Sequence, residues 1–201
     1  LAFKVLLEGL ARSRRPEILD LGPAVGTNVS FFATFSCRLH ICDLYSSIRD
    51  TMATSTPDSD ELDLDVFDRH LAAQIPVLEN DSFDLILTWD LFDYLDPQEL
   101  ALLGGLLAQR CKAGGHIFAL VSAKNRIPAL PNRYHILSPE VLRYDPTTRA
   151  QRDGPQYKQS DLARALPNLE VQTSFLLRHG IQEYVFCYEP GSSAKSAENN
   201  A

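Results

Sequence analysis

Short apolar runs alternate along this chain with segments whose apolar residues recur at helical spacing, the pattern of a parallel sheet with crossover helices. Phe3, Leu6, Leu7 and Leu10 put one apolar stripe on a helix from Leu1 to Arg12, within an N-terminal segment 1–14. Glu17 to Leu21 (EILDL) reads as a first strand ended by Gly22, and Val29 to Phe35 as a helix opening from that glycine turn. A second strand is expected at Arg38–Asp43 (RLHICD). The alternation Leu62-Asp63-Leu64-Asp65-Val66 marks the best candidate for a third, and Ser82–Thr88 (SFDLILT) is a buried fourth. The next helix carries a capping box, with Asp96 at the N-cap, Pro97 at the first helical position and Glu99 three residues after the cap. It runs to about Cys111, where Gly114-Gly115 supplies a left-handed stop. Gly104-Gly105 inside it costs about 1 kcal/mol each relative to Ala, which close approach to the sheet or a local kink would explain. His116–Ser122 is a fifth strand. After a Pro-rich loop, Ser160 caps a short helix to Leu166, and the runs Leu169–Leu176 and Gln182–Glu189 pair as an antiparallel hairpin.

These elements form one unit over residues 1–189. The acidic stretch Thr51–Asp65 is a long surface connection rather than a domain boundary, and residues 190–201 (PGSSAKSAENNA) form a small, polar, disordered tail. Composition narrows the function classes. The 201 residues are 45 % hydrophobic and 22 % charged, as in an ordinary globular domain. The net charge of −7, with no basic cluster larger than Arg12, Arg14 and Arg15, excludes a nucleic-acid backbone as partner. No apolar run approaches the roughly 20 residues of a membrane span. The opening segment lacks a charged n-region and a small-residue cleavage site, so no signal peptide is expected, and the missing initiator Met leaves room for residues upstream. Cys37, Cys42, Cys111 and Cys187 form no CxxC pair and read as free thiols in a reducing, cytoplasmic setting.

Asp20-Leu21-Gly22-Pro23-Ala24-Val25-Gly26-Thr27-Asn28 is a strand, a glycine turn and a helix start, a common anion-binding device. It is not the dinucleotide fingerprint G-x-G-x-x-G, because the second glycine falls on Ala24 and the third is misplaced. Asp43 follows Gly22 by 21 positions, a spacing that suits a carboxylate gripping ribose hydroxyls. Taken singly, the glycine turn is also an ordinary βα loop, and Asp43 is equally a helix cap in Asp43-Leu44-Tyr45-Ser46.

With ILDLGPAVGTN, Asp43 at a strand end, and the run DSFDLILTWDLFDYLDPQELALLGGLLAQRCKAGGHIFALV, the chain resembles class I S-adenosylmethionine-dependent methyltransferases. Asp20, Gly22 and Gly26 match that family's first motif, Phe83-Asp84 the start of its fourth strand, and Gly114-Gly115 the turn before its fifth. The resemblance spans roughly Pro16 to Glu189. It implies a doubly wound α/β fold with a mostly parallel seven-stranded sheet of order 3-2-1-4-5-7-6, the last strand antiparallel, and helices on both faces. It also implies S-adenosylmethionine as cofactor, held by Asp20, Gly22, Ala24, Gly26 and Asn28, with Asp43 on the ribose, Asp65 near the adenine amino group, and Trp89 and Asp90 at the fourth strand's end. Two departures stand out: Ala24 replaces the central glycine, and the fourth strand ends Thr88-Trp89-Asp90-Leu91, not in the Asn-Pro-Pro-Tyr of enzymes that methylate amino groups on nucleic acid.

Methyl transfer from a sulfonium needs alignment and desolvation more than a nucleophile, and a base helps when the acceptor is a hydroxyl or a protonated amine. Such groups belong in the loops after the fourth and fifth strands. Asp93, Tyr94, Arg133 and Tyr134 are the candidate acceptor-binding residues and His135 the candidate base. Against these stand plainer roles: Trp89 as a core aromatic, Arg133 facing water, His135 as a surface or core histidine. His40, His70, His116 and His179 show no ligand spacing, so no metal is expected. The expected acceptor is a small molecule or a protein side chain. The rival readings are a methyltransferase-like binding module without catalysis and an NAD(P)-dependent oxidoreductase, the latter disfavoured by the glycine pattern and the final hairpin.

Overall fold

A computed structural model describes residues 2–10, 15–54, 64–78, 83–177 and 179–191. Six strands form the main sheet: β1 (Glu17–Asp20), β2 (Arg38–Ile41), β3 (Phe83–Trp89), β4 (Cys111–Ser122), β9 (Leu169–Leu176) and β10 (Ile181–Tyr188), in the order β2-β1-β3-β4-β10-β9. The pairs β1–β2, β1–β3 and β3–β4 are parallel, and β10 runs antiparallel to both its neighbours. This is the doubly wound fold with an antiparallel last strand, as the resemblance implied. Among the described residues, however, no third strand lies outside β2. Leu64–Val66 opens α4 (Leu64–Gln74), and residues 62 and 63 lie outside the described set. The reason is the period: five alternating residues fit a strand, but the apolar pattern continues as Phe67, Leu71 and Ile75, all buried, which is a helical stripe.

Period-2 alternation sorts the central strands onto two cores. Leu19, Ile86, Ile117, Ala119, Val121, Tyr184 and Phe186 pack under α3 (Leu44–Thr54), α4, α5 (Pro97–Arg110) and α6 (Gln159–Ala165). Ile18, Leu85, Leu87, Phe118, Leu120 and Val185 face α1 (Ala2–Leu10) and α2 (Gly26–Phe32) on the other side. The α1 stripe of Phe3, Leu6, Leu7 and Leu10 is buried as its spacing predicts. Asp96 caps α5 by accepting from Gln98 and Glu99 N–H, while Glu99 accepts from the Asp96 N–H.

Several boundaries depart from the sequence reading. The α2 helix begins at Gly26, three residues early, and Lys158 rather than Ser160 holds the α6 N-cap. Gly114, at φ +75°, lies within the register shift of β4 against β3 rather than at the helix end. Gly104 is required by α6, not by the sheet: a Cβ there would sit 2.4 Å from the Ala165 carbonyl oxygen. The Pro-rich loop after β4 is two antiparallel ribbons, β5 (Arg126–Pro128) with β8 (Gln151–Asp153), and β6 (Arg133–Ser138) with β7 (Val141–Asp145). The acidic connection is in part α3, which runs to Thr54; residues 55–63, and residues 192–201 of the expected tail, lie outside the described set. Cys37, Cys42, Cys111 and Cys187 are free. Among the described residues no helix is long and apolar enough to cross a membrane, and no group of three His, Cys, Asp or Glu could hold a metal ion.

Candidate functional site

The chain leaves β1 toward β2 on one side and returns to β3 on the other, so the C-terminal ends of β1 and β3 flank the switch point where α/β sheets open a crevice. A cavity of about 290 Å³ lies there, near the lower end of the ~300–1,000 Å³ typical of ligand pockets. Gly22, Asn28, Asp43, Trp89, Asp90, Arg133 and Tyr134, all expected from the sequence, line it. Tyr45, Ser46, Arg49 and Asp50 of α3, the segment Leu130–Asn132, and Thr147 complete the walls.

Asp20 does not itself line the cavity but anchors two residues that do, Gly22 and Trp89. Its buried carboxylate accepts from the Gly22 N–H at 2.9 Å and from the Trp89 indole N–H at 2.6 Å. Burial pushes this acid above the usual carboxylate range, while Trp89, Gly22 and Asn28 oppose that shift by hydrogen bonding. Trp89 ends β3 at φ +51°, in the left-handed region that costs a bulky residue energy. It is held there by Asp20, by the Phe3 and Phe118 rings, and by Tyr134 stacked on it at 5.2 Å and 5°. Gly22 permits this arrangement, since a Cβ would lie 2.8 Å from Trp89 Cδ1.

Asp43 does two things at once. Its oxygens accept from the Ser46 N–H and Oγ–H, starting α3, and the same carboxylate lines the cavity. Four lone-pair sites allow both, so the two sequence readings are compatible. Asn28 is spent differently. Its Nδ2 donates to the Tyr134 carbonyl and its Oδ1 accepts from the Ile136 N–H, pinning β6 over α2.

A second cavity, of about 420 Å³, adjoins the first and shares Asp90, Asn132 and Tyr134 with it. Asp90 is 6 % exposed and accepts from the Asn132 N–H at 3.0 Å and its Nδ2 at 2.8 Å, with a further hydrogen bond from Tyr134. Burial raises its carboxyl to about 6 against these donors. Asp93, 4 % exposed, takes the Ser122 N–H on both oxygens, and burial, reinforced by Asp90, raises it to about 8. Asn132 Oδ1 is buried and has no donor among the described residues. The expected acceptor-side residues Asp93 and Tyr94 line this second cavity, with the Tyr94 hydroxyl donating to the Pro128 carbonyl.

The remaining expected residues fall elsewhere. His135 lines neither cavity, although Arg133 and Tyr134 of the same strand both line the first. Its Nδ1 meets Thr27 Oγ1 at 3.1 Å, and its Nε2 lies 3.0 Å from Asp145 Oδ2 without the alignment of a hydrogen bond. Ala24 and Gly26 are exposed and outside the cavity lining, and Asp65 sits in the first turn of α4. The α3 face was within reach of sequence reasoning: Asp43 as a cap places Tyr45, Ser46, Arg49 and Asp50 on one side of the following turns. The ribbon residues carried no such signal.

No family model and no curated protein sequence matches the chain. Among solved structures, it is similar over 94 % of its length to an S-adenosylmethionine-dependent methyltransferase from Clostridium acetobutylicum ATCC 824, covering 90 % of that chain at TM-score 0.54 and 12 % identity. It is similar to the N-methyltransferase NodS from Bradyrhizobium japonicum WM9 at TM-score 0.51 and 14 % identity, over 94 % of each chain. The fold is that of the class I S-adenosylmethionine-dependent methyltransferases.

Proposed function

We propose that the protein is an S-adenosylmethionine-dependent methyltransferase that takes the cofactor in the first cavity and a small-molecule acceptor in the second. The observation carrying this reading is the junction at the switch point: the Gly22 turn, the Asp43 carboxylate and Asp90 surround one cavity, and a second opens across Asp90, Asn132 and Tyr134. The residues present suit the cofactor. Asp43 keeps lone pairs for two ribose hydroxyls, and Tyr45 and Leu91 offer apolar surface for a purine. When bound, S-adenosylmethionine supplies the electrophilic methyl group and its leaving group.

The chain's own residues then position and deprotonate. Trp89 and Tyr134, stacked and buried, hold the wall between the two ligands dry. Asp90, raised to about 6, is mostly ionised at neutral pH and basic enough to take a proton from an acceptor hydroxyl or ammonium. We assign the base to Asp90 in place of His135, which stands outside both cavities. The oxidoreductase alternative lacks the G-x-G-x-x-G turn.

Thermal unfolding tests the reading. A ligand at a hundredfold excess over its Kd adds about 2.7 kcal/mol, a rise of roughly 5–10 °C for a domain of this size. S-adenosylhomocysteine and S-adenosylmethionine are expected to produce it, and NAD and NADP are not. A shift with the nicotinamide cofactors alone overturns the proposal, and no shift with any of the four favours a binding module that has lost this ligand.

A further inference from the structure

The second cavity combines features that a general acceptor pocket does not need. Its inner end is the buried pair Asp90 and Asp93, and its walls are aromatic, from Tyr94, Tyr134 and Tyr144. Its rim is cationic: Lys124, Arg126 and Arg149 gather there, in a chain whose net charge is −7. Arg126 is committed to Asp153 at 3.2 Å. Lys124 and Arg149 have no carboxylate within ion-pair distance among the described residues. Lys124 is nonetheless placed, because its aliphatic stem packs over Gly180, at φ +72° in the β9–β10 turn, where a Cβ would meet the stem at 3.1 Å. A positioned ammonium without a counterion, at the mouth of a pocket whose far end is acidic, is an arrangement for a ligand that carries its own negative charge at one end. At the far end, Asn132 Oδ1 offers a buried acceptor with no donor among the described residues, suited to an O–H or N–H of the bound molecule.

Resting on the methyltransferase reading, we propose that the acceptor is a small molecule with an aromatic or apolar body and a carboxylate or phosphate group. Lys124 and Arg149 hold the anion at the rim, the three tyrosines flank the body, and a hydroxyl or amino group reaches Asp90 and Asn132. The neutral and cationic isosteres lack the rim contact and bind more weakly.

The test is a calorimetric titration of the full chain with benzoate, phenyl phosphate, benzyl alcohol and benzylamine, with and without saturating S-adenosylhomocysteine. The expected result is that benzoate or phenyl phosphate binds at least tenfold more tightly than the other two, and that added salt weakens it. Which of the two anions prevails distinguishes a carboxylate acceptor from a phosphate one. In Lys124→Ala/Arg149→Ala, whose exposed side chains leave the fold intact, the preference disappears; Lys124→Arg alone retains it. Equal binding of the neutral or cationic probe, no binding of either anion, or a preference that survives the double substitution overturns the proposal. Failure of S-adenosylhomocysteine itself to bind overturns the cofactor reading instead, and the arm without it still measures the anion preference.

Discussion

The two ends of the sheet treat buried acids in opposite ways. At the N-terminal edge, Glu17 meets Arg38 at 2.9 Å and His40 at 2.8 Å, and Asp84 meets Lys112 at 3.1 Å while accepting from the Glu17 N–H. At the C-terminal edge, Asp20, Asp90 and Asp93 are more deeply buried, yet their hydrogen-bond donors are an indole, amides and a hydroxyl, all neutral. Basic side chains pair with the first group and fix it in place. Neutral donors satisfy the second group's geometry without neutralising it, and burial drives all three carboxyls upward. One end serves cohesion; the other stores acids, of which Asp90 and Asp93 respond to pH near neutrality.

The strongest break in this contrast is Asp20→Ala. It strips the Trp89 indole and the Gly22 N–H of their acceptor in a buried place, at a cost of about 2–5 kcal/mol. Chemical denaturation should show that loss together with weakened S-adenosylhomocysteine binding.

Asp93 sharpens it through pH. Its folded pKa of about 8 lies above the unfolded value near 3.8, so the folded state holds the extra proton between them. Stability from this group is present at low pH and falls as pH rises through the folded value. Between pH 5 and 8 the loss is at most ~4 kcal/mol, at ~1.4 kcal/mol per pH unit. Asp93→Asn should flatten that slope in melts across the range; an unchanged slope removes Asp93 as its source.

Asp43 separates ligand from cap. Asp43→Ser keeps an N-cap for α3 but removes the carboxylate, so stability should hold while S-adenosylhomocysteine affinity drops by about 1.5–3 kcal/mol. Unchanged affinity by calorimetry would leave Asp43 a cap only.

Glu17→Gln, at the cohesive end, is expected to cost only about 1 kcal/mol, because Arg38 and His40 keep access to water, and to leave ligand binding untouched.

What the sequence revealed follows the same division. The central strands were legible because runs such as Phe83–Trp89 are buried on both faces and read as apolar whatever surrounds them. The α5 start was legible because its capping box is local chemistry. The ribbons were not: Val141–Asp145 and Gln151–Asp153 are mostly exposed, carry Arg, Asp and Gln, and owe their pairing to position over the sheet rather than to pattern. Since those ribbons roof the second cavity, half of the candidate site was hidden with them. The place of His135, outside both cavities, was hidden for the same reason. Choosing between His135 and Tyr134 requires knowing how β6 sits over α2, and Asn28 sets that by gripping the Tyr134 carbonyl and the Ile136 N–H.

The wall of Asp90, Asn132 and Tyr134, common to both cavities, has a thermodynamic consequence. A ligand in one cavity that displaced Asn132 or drew on Asp90 would change the affinity of the other, and such a change is reciprocal: if the first ligand tightens the second by some factor, the second tightens the first equally. Occupancy of either chamber would then be a signal to its neighbour, and the order of filling would alter the route but not the total free energy of the doubly occupied state.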